Sequence, residues 1–281
     1  MATKKNRNLH ALGWCVILGS SVFPVCVSAG EAQFFNIFDK SKMEMRVPGT
    51  FIYKPQGRNI GMEAWLIEGE TKSKGREGKP HNHPEEHIAI QMRGDTTDYQ
   101  VYLSDNTTSK HVGSAGTVMH IPPGQQHWGE HGKEDTYMMT VWTPPRLTFT
   151  TSLDTPALGV ESLDNYDTFD FNSTKLTVLK KKWVYARKGK LGAGLGSEAL
   201  LIKKAAKKDY LVSARKASAE EVAIVYAGHV KVTGCGETRD LNPGDVFYCP
   251  DSVLTYSGLG KDDARVLRVF SPADSDLFVS K

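Results

Sequence analysis

Apolar residues along the chain recur in short alternating or β-branched runs that are separated by clusters of Gly, Pro, Asn and Asp. The clearest runs cover residues 63–67, 88–92, 97–103, 136–142 and 222–226. Runs of this length and pattern are typical of β-strands, and no segment has the long amphipathic period of a helix. The pattern therefore predicts an all-β fold.

The two halves of the chain share a pattern that predicts a duplicated β unit. Residues 60–67, IGMEAWLI, are similar to residues 195–202, LGSEALLI. Further matches at nearly constant offset are Glu86, Gly94, Gly116 and Pro122 with Glu220, Gly228, Gly244 and Pro250. Each copy has enough residues to bury a core of its own. We expect an N-terminal domain over 30–150, a polar linker over 151–173 and a C-terminal domain over 174–281.

The first 29 residues have the features of a secretory signal peptide. Three basic residues, Lys4, Lys5 and Arg7, precede an apolar run over 11–23, and small residues lead up to Ala29, where we place cleavage. The alternative is an uncleaved anchor, but the run is shorter than a membrane span and is followed by Pro24. The leader predicts an exported protein, periplasmic or secreted, with no membrane span after cleavage.

Composition adds little to this picture but excludes several classes of protein. The chain has 281 residues, of which 40% are hydrophobic and 24% charged, so collagen-like, low-complexity and disulfide-dense proteins are excluded. The net charge is +3, and the basic and acidic residues balance once the leader is removed. Bulk charge therefore does not predict a nucleic-acid partner. We expect a small-molecule substrate, and a homo-oligomer stays open.

Two of the four cysteines leave with the leader, and Cys235 and Cys249 remain. An oxidising compartment and a short separation permit a disulfide between them. Two unpaired thiols, one in a Gly-Cys-Gly turn and one at a strand end, are an equal alternative.

Histidines are concentrated in one part of the chain, because seven of the nine fall between His81 and His131. His81 and His83 share one face of an extended segment, and His87 has the same parity. A further ligand from another strand would complete a metal site, and His127, which follows the turn 122–124, is the candidate. This clustering predicts a metal site built from imidazoles.

The stretches Gly75-x5-His81-x-His83-x3-His87-x6-Gly94 and Gly116-x5-Pro122-x-Gly124-x2-His127 resemble the two motifs of the cupin superfamily. This resemblance implies two tandem jelly-roll β-barrels, a bicupin, with a metal in the N-terminal barrel only. It makes His81, His83 and His127 metal ligands. The family has a glutamate where this chain has His87, which suggests a four-histidine site, and an asparagine where this chain has His131.

Four neutral imidazoles leave the charge of a divalent ion uncompensated, which favours an anionic substrate. We expect one divalent transition metal per chain, namely Fe, Ni, Cu, Mn or Zn. Glu85 or Glu86 could still join the metal shell or orient an imidazole from outside it, although parity points Glu86 away. Candidate catalytic side chains are Glu86, Gln125 and His131.

The second repeat lacks this donor set. At the positions of the four histidines, the repeat alignment places Arg215, Ala217, Glu221 and Thr255. We therefore expect the second barrel to support the first.

Three classes of function fit this sequence. The resemblance favours a metal-dependent enzyme of the dioxygenase type, acting on a small anionic or enolisable molecule, with a lyase or isomerase as the neighbouring alternative. The others are a non-catalytic cupin that binds a small ligand or a metal, and a structural or sensory protein. Fold alone does not choose among them.

Overall fold

The structure is a computed structural model that describes residues 31–69, 81–101, 108–145, 167–180, 184–189, 191–206, 210–211, 219–250 and 254–278. The predicted leader and residues 151–166 of the predicted linker lie outside these ranges. Helical structure in the described ranges consists of two 3-10 turns, Lys40–Lys42 and Ser275–Leu277. Within those ranges no helix has the length and apolar character needed to cross a membrane.

Antiparallel strands form the rest of the regular structure, which confirms the all-β prediction. In chain order they are β1 (Gln33–Asn36), β2 (Glu44–Val47), β3 (Thr50–Tyr53), β4 (Gly61–Ile67), β5 (Glu86–Arg93), β6 (Asp95–Val101), β7 (Thr108–Ser114), β8 (Thr117–Ile121), β9 (His127–His131), β10 (Thr136–Thr143), β11 (Asp167–Asp170), β12 (Thr177–Lys180), β13 (Val184–Lys188), β14 (Gly196–Ile202), β15 (Tyr210–Leu211), β16 (Glu220–Ala227), β17 (Val230–Gly234), β18 (Glu237–Leu241), β19 (Asp245–Cys249), β20 (Thr255–Gly258) and β21 (Ala264–Ser271).

Four sheets build two barrels in tandem. The first barrel has a large sheet in the order β11-β8-β5-β10-β4-β3-β2 and a small sheet in the order β7-β6-β9. The second has a large sheet in the order β1-β19-β16-β21-β14-β13-β12 and a small sheet in the order β15-β20-β17-β18. The shared central order, β8-β5-β10-β4 against β19-β16-β21-β14, confirms the two tandem jelly rolls.

Each large sheet takes an edge strand from outside its own repeat. Strand β1 precedes the first repeat but pairs with β19 of the second barrel. Strand β11 lies in the segment predicted as a linker, and it pairs with β8 of the first barrel. The chain therefore crosses between the barrels before each repeat, which ties them together.

The two large sheets pack face to face and bury the central core of the molecule. Along β5, Ile88 and Ile90 point toward this interface, where they join Val222, Ile224 and Leu267 of the second barrel. Alternate β5 residues point into the first barrel instead. Both faces of β5 are thus covered, which explains why seven of its eight residues are buried.

Glycines shared by the two repeats mark the same tight turn. Gly94 and Gly228 follow equivalent strands with φ of 76° and 72°. A Cβ on Gly94 would lie 2.6 Å from the Thr136 Oγ1 atom, and one on Gly228 would lie 2.3 Å from the Asp263 carbonyl oxygen. Only glycine fits both the left-handed backbone and this close approach.

A disulfide joins Cys235 and Cys249, whose Cα atoms lie 5.8 Å apart. Cys235 and Gly236 form the two-residue turn between β17 and β18, both with positive φ, as a type I′ hairpin turn requires. Cys249 ends β19 of the large sheet. The bond therefore links the two sheets of the second barrel. The sequence left open whether these cysteines form a disulfide or remain unpaired, and the structure contains the disulfide.

Candidate metal centre

The four predicted histidines come from three elements that meet inside the first barrel. His81 pairs with His127, the first residue of β9, through hydrogen bonds between the His81 N–H and the His127 carbonyl (3.0 Å) and in the reverse direction (2.9 Å). His83 is buried two residues further on, and His87 is the second residue of β5. The small sheet and the large sheet each contribute one side of the cluster.

The imidazoles lie close enough to share an ion. Ring nitrogens of His81, His83 and His127 lie within 4.8 Å of one another. The His87 ring lies beside this group, with its centroid 4.9 Å from that of His83 and 5.4 Å from that of His127. The structure thus brings all four together, with three in a tight group and His87 at its side.

Hydrogen bonds to backbone carbonyls set the tautomers that metal binding needs. The Nδ1 atom of His83 lies 2.9 Å from the Glu85 carbonyl, and that of His127 lies 2.8 Å from the Gln125 carbonyl. A carbonyl only accepts, so each Nδ1 carries the proton and each Nε2 carries the lone pair. These residues therefore fit a transition-metal ion.

Trp142 provides an apolar wall beside the cluster. Its ring centroid lies 4.8 Å from that of His83 and 4.3 Å from that of His87. Trp142 is the direct partner of His87 across the β10–β5 pair, so the strand register itself holds the contact.

Glu86 lies on the opposite face of β5, away from the histidines. Its carboxylate is buried between the barrels, makes a short hydrogen bond with the His120 Nε2 atom, and accepts from the backbone N–H groups of Gly194 (2.7 Å) and Leu195 (3.2 Å). Its first role here is therefore to anchor the second barrel against the strand that carries His87.

Glu220 repeats this arrangement from the other barrel. It accepts from the Asn59 N–H (2.8 Å), the Arg58 N–H (3.1 Å) and the Tyr248 hydroxyl (2.8 Å). Tyr248 occupies in the second repeat the position of His120 in the first. Two equivalent glutamates thus cross the interface in opposite directions, one supported by an imidazole and the other by a phenol.

Three other candidates are spread around the site. Glu85 is near the cluster, with its Oε2 atom 3.7 Å from the His83 Nδ1 atom. Gln125 is buried in the loop before β9 and supplies the carbonyl that orients His127. His131 shares the inward face of β9 but lies four residues from His127, about 13 Å along the strand.

The strands also direct a set of polar side chains into the barrel, and the sequence analysis did not single these out. Glu63 is buried with its Oε1 atom 3.4 Å from the Lys54 ammonium. The Thr96 hydroxyl lies 2.8 Å from Gln91 Oε1 and 3.1 Å from Asp98 Oδ2. Burial raises the pKa of the Asp98 carboxyl to about 6, and the Thr96 hydrogen bond offsets this only in part. The sequence could have identified Gln91, because it lies four residues after His87 on the same strand and therefore points to the same face.

The second barrel has a buried ion cluster in place of these groups. Arg268 donates to Glu221 (2.6 Å) and to Glu198 (2.7 Å), and Tyr256 donates to Glu221 (3.0 Å). Burial alone would lower the pKa of Arg268, but Glu221 and Glu198 outweigh it and raise the pKa. The groups satisfy one another, so this interior is closed.

Strand register corrects one position of the repeat alignment. Thr255 pairs with Thr233 as Trp128 pairs with Tyr99, so Thr255 matches Trp128. The buried Leu254 therefore takes the place of His127. Arg215 and Ala217 lie outside the described residues.

Comparison with solved structures shows the class of fold. No protein-family model and no curated protein matches the chain. The formate complex of Lactobacillus farciminis oxalate decarboxylase is 14% identical, with a TM-score of 0.60 over 86% of each chain. A variant of the Bacillus subtilis oxalate decarboxylase is 14% identical, with a TM-score of 0.59 over 87% of this chain and 78% of that one. A structure used to assign EPR fine-structure parameters of the Mn(II) centres of the same enzyme is 14% identical, with a TM-score of 0.59 over 86% of this chain and 77% of that one.

Oxalate decarboxylases are bicupins, so the fold of this chain is that of a two-domain cupin. At such identities the similarity concerns the fold, and the chemistry has to be argued from the site.

Proposed function

We propose that this protein is a metal-dependent enzyme that acts on a small organic acid at the mouth of its first barrel. The observation that carries the proposal is the group of three imidazoles, His81, His83 and His127, whose nitrogens lie within 4.8 Å of one another. His87 would complete the set as a fourth ligand. A bound transition ion would supply Lewis acidity and, if redox active, electrons for O2 chemistry.

Charge supports the choice of substrate. The orienting carbonyls direct the Nε2 atoms of His83 and His127 toward an ion, and imidazoles that bind a metal through a neutral nitrogen leave the ion's positive charge in place. An anionic, chelating head group would compensate that charge. Trp142 beside the cluster keeps one side of it apolar, which strengthens the attraction.

Two types of reaction fit this site, oxidation by O2 and lyase chemistry. An all-histidine donor set suits iron, copper or nickel and favours oxidation by O2, which makes a dioxygenase the first candidate. Similarity of the fold to oxalate decarboxylases favours a lyase as the second. In either reaction Gln125 orients His127, while Glu86 holds β5 against the second barrel.

Metal analysis combined with gas exchange would test both. The purified mature protein is assayed for Fe, Ni, Cu, Mn and Zn, and is then given hydroxy and keto acids in an oxygen electrode coupled to CO2 detection. We expect about one transition ion per chain and turnover with O2 uptake. CO2 release without O2 uptake would select the lyase. Bound metal and ligand without any product would instead show a binding protein, and an absence of metal would contradict the proposal.

Export is part of the proposal and has separate support. The leader-like segment 1–29 and the disulfide between Cys235 and Cys249 both favour an oxidising compartment. Sequencing the N-terminus of protein from the source organism should find Gly30 or a residue close to it. An intact Met1 would exclude cleavage.

A further inference from the structure

The two barrels differ in the layer of inward residues directly below the histidine cluster. In the first barrel Thr140 lies opposite Glu63 and Ala89, and Asp98 lies opposite Gly129. In the second barrel the same register holds Arg268, Glu198, Ala223, Val232 and Tyr256. The repeats therefore provide an internal comparison of this layer.

In the second barrel the layer is filled. Arg268, Tyr256 and Val232 are fully buried. Arg268 reaches Glu221 and Glu198, and the Tyr256 ring extends to Glu221, so two large side chains occupy the interior.

In the first barrel the same layer is open. Thr140 replaces the arginine and Gly129 replaces the tyrosine. A Cβ placed on Gly129 would meet the Asp98 Oδ1 atom at 3.1 Å and no other atom of the described residues within 4 Å. Asp98 and Gly129 also keep partial exposure, whereas Val232 and Tyr256 have none. Space therefore remains beside the Asp98 carboxyl.

Polar groups line this space. Gln91 is fully buried; its Oε1 atom is bonded to the Thr96 hydroxyl, while its Nε2 atom has no hydrogen-bond partner in the described part of the chain. The Asp98 Oδ2 atom lies 3.1 Å from the same hydroxyl, whose single proton the two acceptors share. Glu63 is paired with Lys54. An unpartnered buried amide costs free energy, which a bound polar group would recover.

We infer that this layer is a subsite for the neutral, hydroxylated tail of an organic acid whose anionic head binds at the histidine cluster. The inference rests on the proposed function. A hydroxyl can donate to Asp98 and accept from the Gln91 amide, whereas an apolar tail would leave that amide without a partner. A second carboxylate would meet the acidic groups Glu63 and Asp98.

Distance sets the length of the acid. Asp98 and Gly129 lie two residues along their strands from the level of His127, about 7 Å. A four-carbon acid held by its head spans this distance. The substrate class is therefore a polyhydroxylated monocarboxylic acid of about four carbons.

Three probes with matched heads test the subsite: erythronate has a hydroxylated tail, 2-hydroxybutyrate an apolar tail, and tartrate a carboxylate tail. Calorimetry on the metal-containing mature protein should find erythronate at least about tenfold tighter than the other two, since it alone satisfies the buried groups. Equal binding of erythronate and 2-hydroxybutyrate, or tighter binding of tartrate, would overturn the inference.

Variants test whether the preference for erythronate arises in the layer at Asp98 and Gly129. Gly129→Tyr introduces the side chain that fills the second barrel and should abolish the preference for erythronate while the metal content persists. Glu130→Tyr is the control, because Glu130 faces outward on the same strand, where it accepts from the Tyr99 hydroxyl. A preference that survives Gly129→Tyr would contradict the assignment.

Asp98→Val provides a second route if the tyrosine prevents folding, because valine is the residue of the second barrel at this position. It should also remove the preference, with Thr97→Val on the outer face as its control, and an unchanged preference would overturn the inference. If metal-loaded protein binds none of the three acids and no oxalate, the proposed function itself is wrong. If all three acids bind with equal affinity, only the subsite is rejected and the proposed function stands.

Discussion

An imidazole at position 87 stands where the cupin motif has a glutamate, and its surroundings are consistent with a neutral group. The His87 ring lies against Trp142 at 4.3 Å and close to His83. A carboxylate between these rings would balance the charge of a bound ion, whereas a neutral imidazole would leave that charge uncompensated. At the scale of single residues, the presence of an imidazole or a carboxylate at position 87 would therefore set the net charge of a bound metal centre.

Removing one of the three closely grouped imidazoles should lower metal affinity more than removing His87, which lies beside them. We expect His127→Ala to reduce affinity by more than the roughly 10–100-fold typical of losing an orienting partner, and His87→Ala to have a smaller effect. Metal content after dialysis against a chelator measures this, with His229→Ala in the second barrel as control. Full occupancy in His87→Ala would show that a glutamate nearby is the fourth ligand.

Asp98 should make stability depend on pH. Its folded pKa of about 6 lies above the unfolded value of 3.8, so the folded state holds the proton more tightly. The stabilising contribution of Asp98 is then greatest below pH 4 and is lost as pH rises through 6, by up to about 3 kcal/mol less the part screened by solvent. Asp98→Asn should gain stability over the wild type at pH 8 and little at pH 4 in urea titrations. An equal difference at both pH values would contradict the raised pKa.

At the scale of elements, alternate side chains of each large-sheet strand point to opposite faces and so have different roles. Successive residues of β5 serve different purposes: Glu86 anchors the other barrel, His87 faces the cluster and Ile88 joins the interface core. A shift of one residue would exchange these roles. The register with β10, where Trp142 faces His87, therefore also sets the geometry of the site.

The hairpin β17–β18 is held to the large sheet by the disulfide, and breaking it should destabilise the second barrel. The sequence separation is 14 residues, and closing a loop of this length is worth about 3 kcal/mol. Urea unfolding with and without reductant should differ in the wild type and coincide in the Cys235→Ser/Cys249→Ser variant. Wild-type protein indifferent to reductant, with free thiols detected in the folded state, would exclude the bond.

At the scale of the whole molecule, the two barrels depend on each other. The interface core combines residues of both large sheets, and Glu86 and Glu220 bind the backbone of the opposite barrel. Strand β1 belongs to the sheet of the second barrel although it precedes the first repeat. We therefore do not expect either barrel to be stable without the other.

A chain truncated after Lys175 should aggregate, because it exposes the interface face of the first barrel as a large apolar patch. The full-length chain should bind about one metal ion, since Arg268 closes the second interior. Light scattering and metal analysis measure the two outcomes, and Glu221→Gln in the full chain should leave the metal count unchanged. A soluble, active fragment or two tightly bound ions per chain would refute this division.

The sequence by itself determined the class of fold, the duplication and the four histidines, because strand periodicity, turn glycines and metal-ligand spacing are local properties. Tertiary structure decided what depends on contacts between distant segments. It placed Glu86 at the barrel interface, joined Cys235 to Cys249 and replaced Thr255 by Leu254 in the repeat alignment. It also left the layer at Asp98 open in one barrel and filled by Arg268 and Tyr256 in the other, since the space inside a barrel is set by side chains from several strands at once.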